Sequence, residues 1–147
     1  MSILALFAIA AGAAIAIQAT MNAQLGVVLK NSTLATCIAF LLSFMITIIV
    51  LLLTTKQYPN ITDIKAVPAY LWCGGVLSAF GVGMFYFLIP KMGAGSMMSY
   101  GLSGQLIIAL LASHFGWFNL PIKSLDSIKT IGAVLLIISV LLINWKA

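Results

Sequence analysis

Five apolar stretches separated by short polar links organise the chain, at about residues 3–29, 34–53, 69–89, 94–115 and 128–145. A helix rising about 1.5 Å per residue needs roughly 20 apolar residues to cross a hydrocarbon core about 30 Å thick. The first four stretches reach that length. The charge-free part of the fifth, Thr130 to Trp145, has only 16 residues. Lys129 and Lys146 flank it, and their long stems can carry the ammonium groups to the interface. The pattern predicts an all-α integral membrane protein: five transmembrane helices in a single transmembrane domain.

The links carry helix-boundary chemistry. Asn31, Ser32 and Thr33 can start the second helix, and Asp126 stands where a negative charge favours the N-terminus of the fifth. Lys56 to Pro68 is the longest polar link, with Tyr58-Pro59-Asn60 reading as a turn, whereas Pro90-Lys91-Met92-Gly93 is very tight. Trp72 and Tyr86, near the two ends of the third stretch, stand where amphipathic aromatics mark a membrane interface. Trp117, Phe118 and Pro121 mark an interfacial exit after the fourth. The first stretch lacks a basic leader and is too long for a signal-peptide core of about 7–15 residues, so it is expected to be retained as a helix. The absence of a long hydrophilic segment predicts no soluble domain on either side.

Composition agrees with this reading. The chain has 147 residues, 63% hydrophobic and 6% charged, and a mean hydropathy of +1.22. A soluble domain carries about 25% charged residues, and one of this size has too little interior to hide so much apolar surface. The net charge of +5 comes from isolated lysines. Nucleic-acid binding requires clustered basic residues on one surface, so no such partner is expected. Cys37 and Cys73 lie in apolar stretches without a CxxC spacing, which predicts buried, inert thiols rather than a disulfide or a metal site. No cofactor is implied.

The lysines divide almost evenly between the two sides. With five crossings, Lys56, Lys65, Lys123 and Lys129 fall on the side of the N-terminus and Lys30, Lys91 and Lys146 on the other, a difference of 4 − 3 = 1, and there is no Arg. Loop Lys/Arg bias normally fixes orientation; a bias of one scarcely does. A short, odd-spanning, orientation-neutral chain is what half of an inverted-repeat (5+5) transporter looks like when its halves are separate. That predicts an antiparallel homodimer.

Inside the spans the polar groups are neutral. Asp63 and Asp126, the only acids, fall in links, so the intramembrane carboxylate common in proton-coupled exchangers is missing. Gln18 and Asn22 are four residues apart and share one helix face. Their amides must meet protein or a wet cavity, because lipid offers no partner. They can clamp helices together or contact a ligand. The fourth span combines Ser96, Ser99, Tyr100, Ser103 and Gln105 with Gly93, Gly95, Gly101 and Gly104, a composition that predicts a loosely wound or kinkable segment beside a cavity. Gln105 is a candidate for lining a substrate path. Ala8, Gly12, Ala16 and Ala19 form one small-residue face, and Gly75, Ala79 and Gly83 form another, both suited to close helix packing. His114 is the only histidine, and histidine is the side chain that ordinarily changes charge near neutral pH. It is a candidate for proton coupling, against a simpler role as a hydrated cap. One His forms no catalytic set or metal cluster, and the chain is not expected to be an enzyme.

Several of these segments resemble the YdcZ-like branch of the drug/metabolite transporter (DMT) superfamily. They are Gln18-Ala-Thr-Met-Asn22-Ala-Gln-Leu, Trp72-Cys-Gly-Gly75, Pro90-Lys-Met-Gly93, Gly104-Gln105-Leu and His114-Phe-Gly116, and the resemblance covers essentially the whole chain. The resemblance implies a small five-helix protein of the bacterial inner membrane that exports small molecules. It also implies a lone form that inserts both ways and pairs antiparallel. Family members commonly carry an acid before His-Phe-Gly; this chain has Ser113 there, which puts any coupling role of that acid in doubt.

The leading functional reading is a dual-topology transporter working by alternating access. Gln18, Asn22, Tyr86, Tyr100 and Gln105 of both copies would line a cavity for a small uncharged, zwitterionic or amphipathic solute. The alternatives are a dual-topology channel with a continuous polar lining, and a non-transporting accessory subunit whose essential surface is Gly75/Ala79/Gly83. Partners beyond the solute are the second copy and the lipid bilayer.

Overall fold

Helix boundaries follow from the side chains standing at them. The structure, a computed structural model, describes residues 2–145; Lys146, expected to flank the fifth span, lies outside them. Among the described residues the chain contains helices, turns and loops and no strand. It divides into two compact units, Met1–Lys91 and Met92–Ala147.

In the first unit, α1 (Ile3–Val28) starts at Ser2, whose Oγ accepts the Ala5 N–H at 3.4 Å. It ends in a Schellman turn: Lys30 takes a left-handed φ of 53°, its N–H reaches the Val27 carbonyl and the Asn31 N–H reaches the Gly26 carbonyl. Asn31 is also the N-cap of α2 (Ser32–Thr54), where its Oδ1 accepts the Leu34 N–H at 2.9 Å. One residue thus closes one helix and opens the next. The geometry folds α2 back along α1, with Gly26 set against Ser32 and Ala35; Ala19, Ala23 and Gly26 of α1 and Ala35 and Thr36 of α2 are buried. A methyl group added at Gly26 would stand 3.1 Å from the Ser32 Cα.

The long polar link contains a short helix, α3 (Ile61–Lys65), where Asp63 Oδ2 accepts the Asn60 N–H at 3.0 Å. A 3₁₀ turn, Ala69–Cys73, leads into α4 (Gly74–Met92). Pro90 lies within the last turn of α4 rather than in a link, and the whole connection to the next helix is Gly93, at φ 84°.

The second unit pairs α5 (Ala94–Phe115) with α6 (Ser127–Ile143). Gly116 ends α5 in the left-handed region, at φ 64°. Asp126 caps α6, its Oδ1 accepting the Lys129 N–H at 2.8 Å. That hydrogen bond, reinforced by the Lys129 ammonium, holds the Asp126 carboxyl below its ordinary value even though partial desolvation opposes the shift. The folded form is therefore favoured by this group above the ordinary carboxylate range, and the contribution fades as pH falls through the lowered value.

Four segments are long and apolar enough to cross a membrane: α1, α2, Ala69–Met92 and α5. α6 is shorter at 17 residues, about 26 Å of helix. Large apolar side chains such as Ile15, Leu42, Phe80 and Leu141 are more than half exposed, as expected where lipid replaces water around a helix.

Three expectations are corrected. The glycine-rich fourth span is not loosely wound: α5 is continuous from Ala94 to Phe115. Its serines return their hydroxyls to carbonyls three or four residues back, Ser99 to Ser96 and Ser103 to Ser99, both at 2.8 Å, so they need no unwound backbone. Cys37 and Cys73 are exposed, not buried, because an apolar stretch in a membrane protein turns much of its surface outward. The Ala8–Gly12–Ala16–Ala19 face is buried only at Ala19, and a methyl group at Gly12 would meet nothing within 4 Å. The close approach lies further along α1, at Gly26.

Candidate functional site

Gln18 lies about 4 Å past the midpoint of α1, and Asn22 one turn beyond it. Their shared face presents two amides to α4, which supplies Tyr86. The three side chains form a closed triangle. Asn22 Nδ2 donates to Gln18 Oε1 at 2.8 Å and to Tyr86 Oη at 3.0 Å, and Tyr86 Oη donates to Gln18 Oε1 at 2.9 Å. Tyr86 is 2% exposed, the largest fully buried side chain. Its expected role as an interface marker is thereby corrected: the phenol points into a polar cluster, not toward headgroups. Pro90, one turn later, has no N–H to give the Tyr86 carbonyl.

A cavity of about 340 Å³ adjoins the triangle, lined by Gln18, Asn22 and Tyr86 together with Phe40 and Ser43 of α2 and Val82 of α4. Small residues on α2 leave the room: Ala39 and Ser43 stand one turn apart on this lining. The cavity has no formally charged side chain, so nothing in it balances an ion.

The size of the hydrogen bonds bears on their purpose. Interhelical bonds in membranes average about 0.6 kcal/mol, so the two that join Tyr86 to α1 contribute roughly 1 kcal/mol. That is a real but modest clamp, and it leaves the rest of both amides unused.

Tyr100 and Gln105 belong to α5 in the other unit, where both are exposed. On the packing face, Gly83 stands against Thr36, whose Oγ1 would lie 3.6 Å from an added methyl group, while Gly75 has nothing within 4 Å. Gly75, Ala79 and Gly83 instead line a groove of about 730 Å³ with Thr36, Cys37 and Ser78.

His114 Nδ1 accepts the Leu125 N–H at 3.1 Å, and the Ser113 carbonyl accepts the Lys123 N–H at 2.9 Å. The end of α5 therefore holds the loop that leads to α6. Sequence reasoning missed Asn144. Its Nδ2 donates to Ser99 Oγ at 2.9 Å and to the Val140 carbonyl at 2.7 Å, joining α6 to α5. Its Oδ1 is the one buried side-chain polar atom among the described residues with no partner. The signal was available: an amide at the end of an apolar run is the same kind of group as Gln18 or Asn22.

Comparison with known proteins supplies the lineage. Residues 3–142 match the family model DMT_YdcZ, described as "Putative inner membrane exporter, YdcZ". The curated proteins and the solved structures gave no significant match. Since the match covers almost all of the chain and the helices have the length and apolarity that a membrane demands, the chain belongs to the YdcZ family of inner-membrane exporters and is a multi-pass inner-membrane protein.

Proposed function

We propose that the protein is a small-molecule transporter that works by alternating access as an antiparallel homodimer, with α6 as its fifth span. The observation carrying this reading is the Gln18–Asn22–Tyr86 triangle beside an uncharged cavity between apolar helices. Polar groups at membrane depth are costly and mark substrate paths when they face a cavity. Two oppositely inserted copies would supply the two halves of an inverted repeat and exchange inward-open and outward-open states of equal structure. Tyr100 and Gln105 on α5 are further candidates for contact with the solute, and His114 is the candidate proton carrier.

Purified protein in liposomes tests the reading by counterflow: labelled solute outside, excess unlabelled solute inside, across a panel of small polar solutes. Saturable flux accelerated by internal solute, and lost in Gln18→Ala, is expected. Steady single-channel current, or flux linear in concentration, would favour a channel. No flux across the panel would favour an accessory subunit.

A further inference from the structure

Hydrogen bonding within the triangle uses up some of its groups and leaves others. Asn22 Nδ2 spends both hydrogens, Tyr86 spends its one hydrogen, and Gln18 Oε1 accepts twice. Two groups remain: the Gln18 Nε2 amide, with two donors on an exposed side chain, and Asn22 Oδ1, an acceptor that is not sealed off. The result does not depend on how the amides are turned. Reversing both exchanges which residue gives the donor and which the acceptor. Reversing one alone sets two carbonyl oxygens, or two NH₂ groups, against each other. The cavity therefore offers one NH₂ and one C=O about one helical turn apart, beside Phe40 and Val82 and without a formal charge.

We propose that this cavity selects neutral solutes that carry a hydrogen-bond donor and an acceptor on one edge of an apolar body, as a carboxamide does, and rejects their anionic and cationic isosteres. The proposal rests on reading the cavity as the solute site. A carboxylate has acceptors only and would set an oxygen against Asn22 Oδ1. An amidinium has donors only and would set N–H against Gln18 Nε2. Either ion would also be desolvated with no counter-charge in the lining. A neutral carboxamide satisfies both leftover groups at once, and sites built this way discriminate strongly against analogues that leave a group unpaired.

Benzamide, benzoate and benzamidinium share one ring and differ only at the edge. Their binding to the purified full-length protein in lipid nanodiscs is measured by calorimetry, with Gln18→Glu as the variant. This change keeps an oxygen to accept from Asn22 and Tyr86 but turns the free NH₂ into an anionic oxygen. The unaltered protein is expected to bind benzamide at least about tenfold more tightly than either ion, and Gln18→Glu to move the preference to benzamidinium. Tighter binding of an ion by the unaltered protein, still sensitive to Gln18, overturns the solute class and leaves the site in place. No saturable binding of any of the three, or binding indifferent to Gln18, overturns both. The ranking on the unaltered chain decides the matter even if the variant does not fold.

Discussion

His114 shows how one side chain can serve a loop while looking like a proton carrier. Its Nδ1 accepts the Leu125 N–H, so that nitrogen bears no proton in this arrangement, and protonating it would break the bond. The two roles separate by substitution. His114→Asn places an amide oxygen near the position of Nδ1 and cannot titrate; His114→Ala removes the acceptor. Removing it leaves the Leu125 N–H unpaired in a part-buried site, at a cost of about 1–3 kcal/mol in local opening. Hydrogen exchange at Leu125 is expected to speed up in His114→Ala and to stay near the original rate in His114→Asn. Equal acceleration in both would reject the fastening role, and loss of pH-driven flux in His114→Asn with exchange at Leu125 unchanged would point to the proton role. The same scale shows what was legible. Gln18 and Asn22 stood out because an amide deep in an apolar run has no water to turn to. Asn144 did not, because near a span end it reads as an interface cap, and its partner Ser99 lies 45 residues away, beyond the reach of helical periodicity.

Between elements, spacing in the sequence identified small residues but not which of them touch. Apolar runs located the helices because crossing a bilayer fixes both length and composition. Register between helices is set by turns, and the three-residue link Leu29–Lys30–Asn31 decides which part of α1 meets α2. The consequence is a contrast between two glycines. A methyl group at Gly26 would press on the Ser32 backbone at 3.1 Å, whereas one at Gly75 would enter open space. Overpacking against backbone costs about 1–3 kcal/mol, while Gly to Ala in an uncrowded helix gains about 0.5–1 kcal/mol. Thermal unfolding of detergent-solubilised protein is therefore expected to shift down for Gly26→Ala and to hold or rise for Gly75→Ala. The reverse order would mean that the Gly75–Ala79–Gly83 ridge, not the α1–α2 contact, limits the fold of the single chain. An unchanged fold with weakened dimers in Gly75→Ala would instead assign that ridge to the second copy.

For the whole molecule, the near-even division of lysines becomes a question of assembly. Side one holds four lysines and side two three, on a five-span count, so two lysines added to side one change the balance to six against three, and four added to side two change it to four against seven. Each addition should fix one orientation, since loop bias of this size normally decides it. A topology reporter fused at Ala147 is expected to read on both sides in the original chain and on one side in each biased variant. If the dimer requires opposite insertion, each variant made alone should remain monomeric in native mass spectrometry, and the two made together should recover the dimer. Recovery is the decisive outcome, because an added lysine that damaged the fold would not be repaired by a differently altered copy. A biased variant that dimerises alone would remove the antiparallel pair and leave the amide triangle as the property of a parallel assembly or a single chain. Recovery on co-expression would make orientation itself the assembly signal, carried by lysines that touch no part of the cavity.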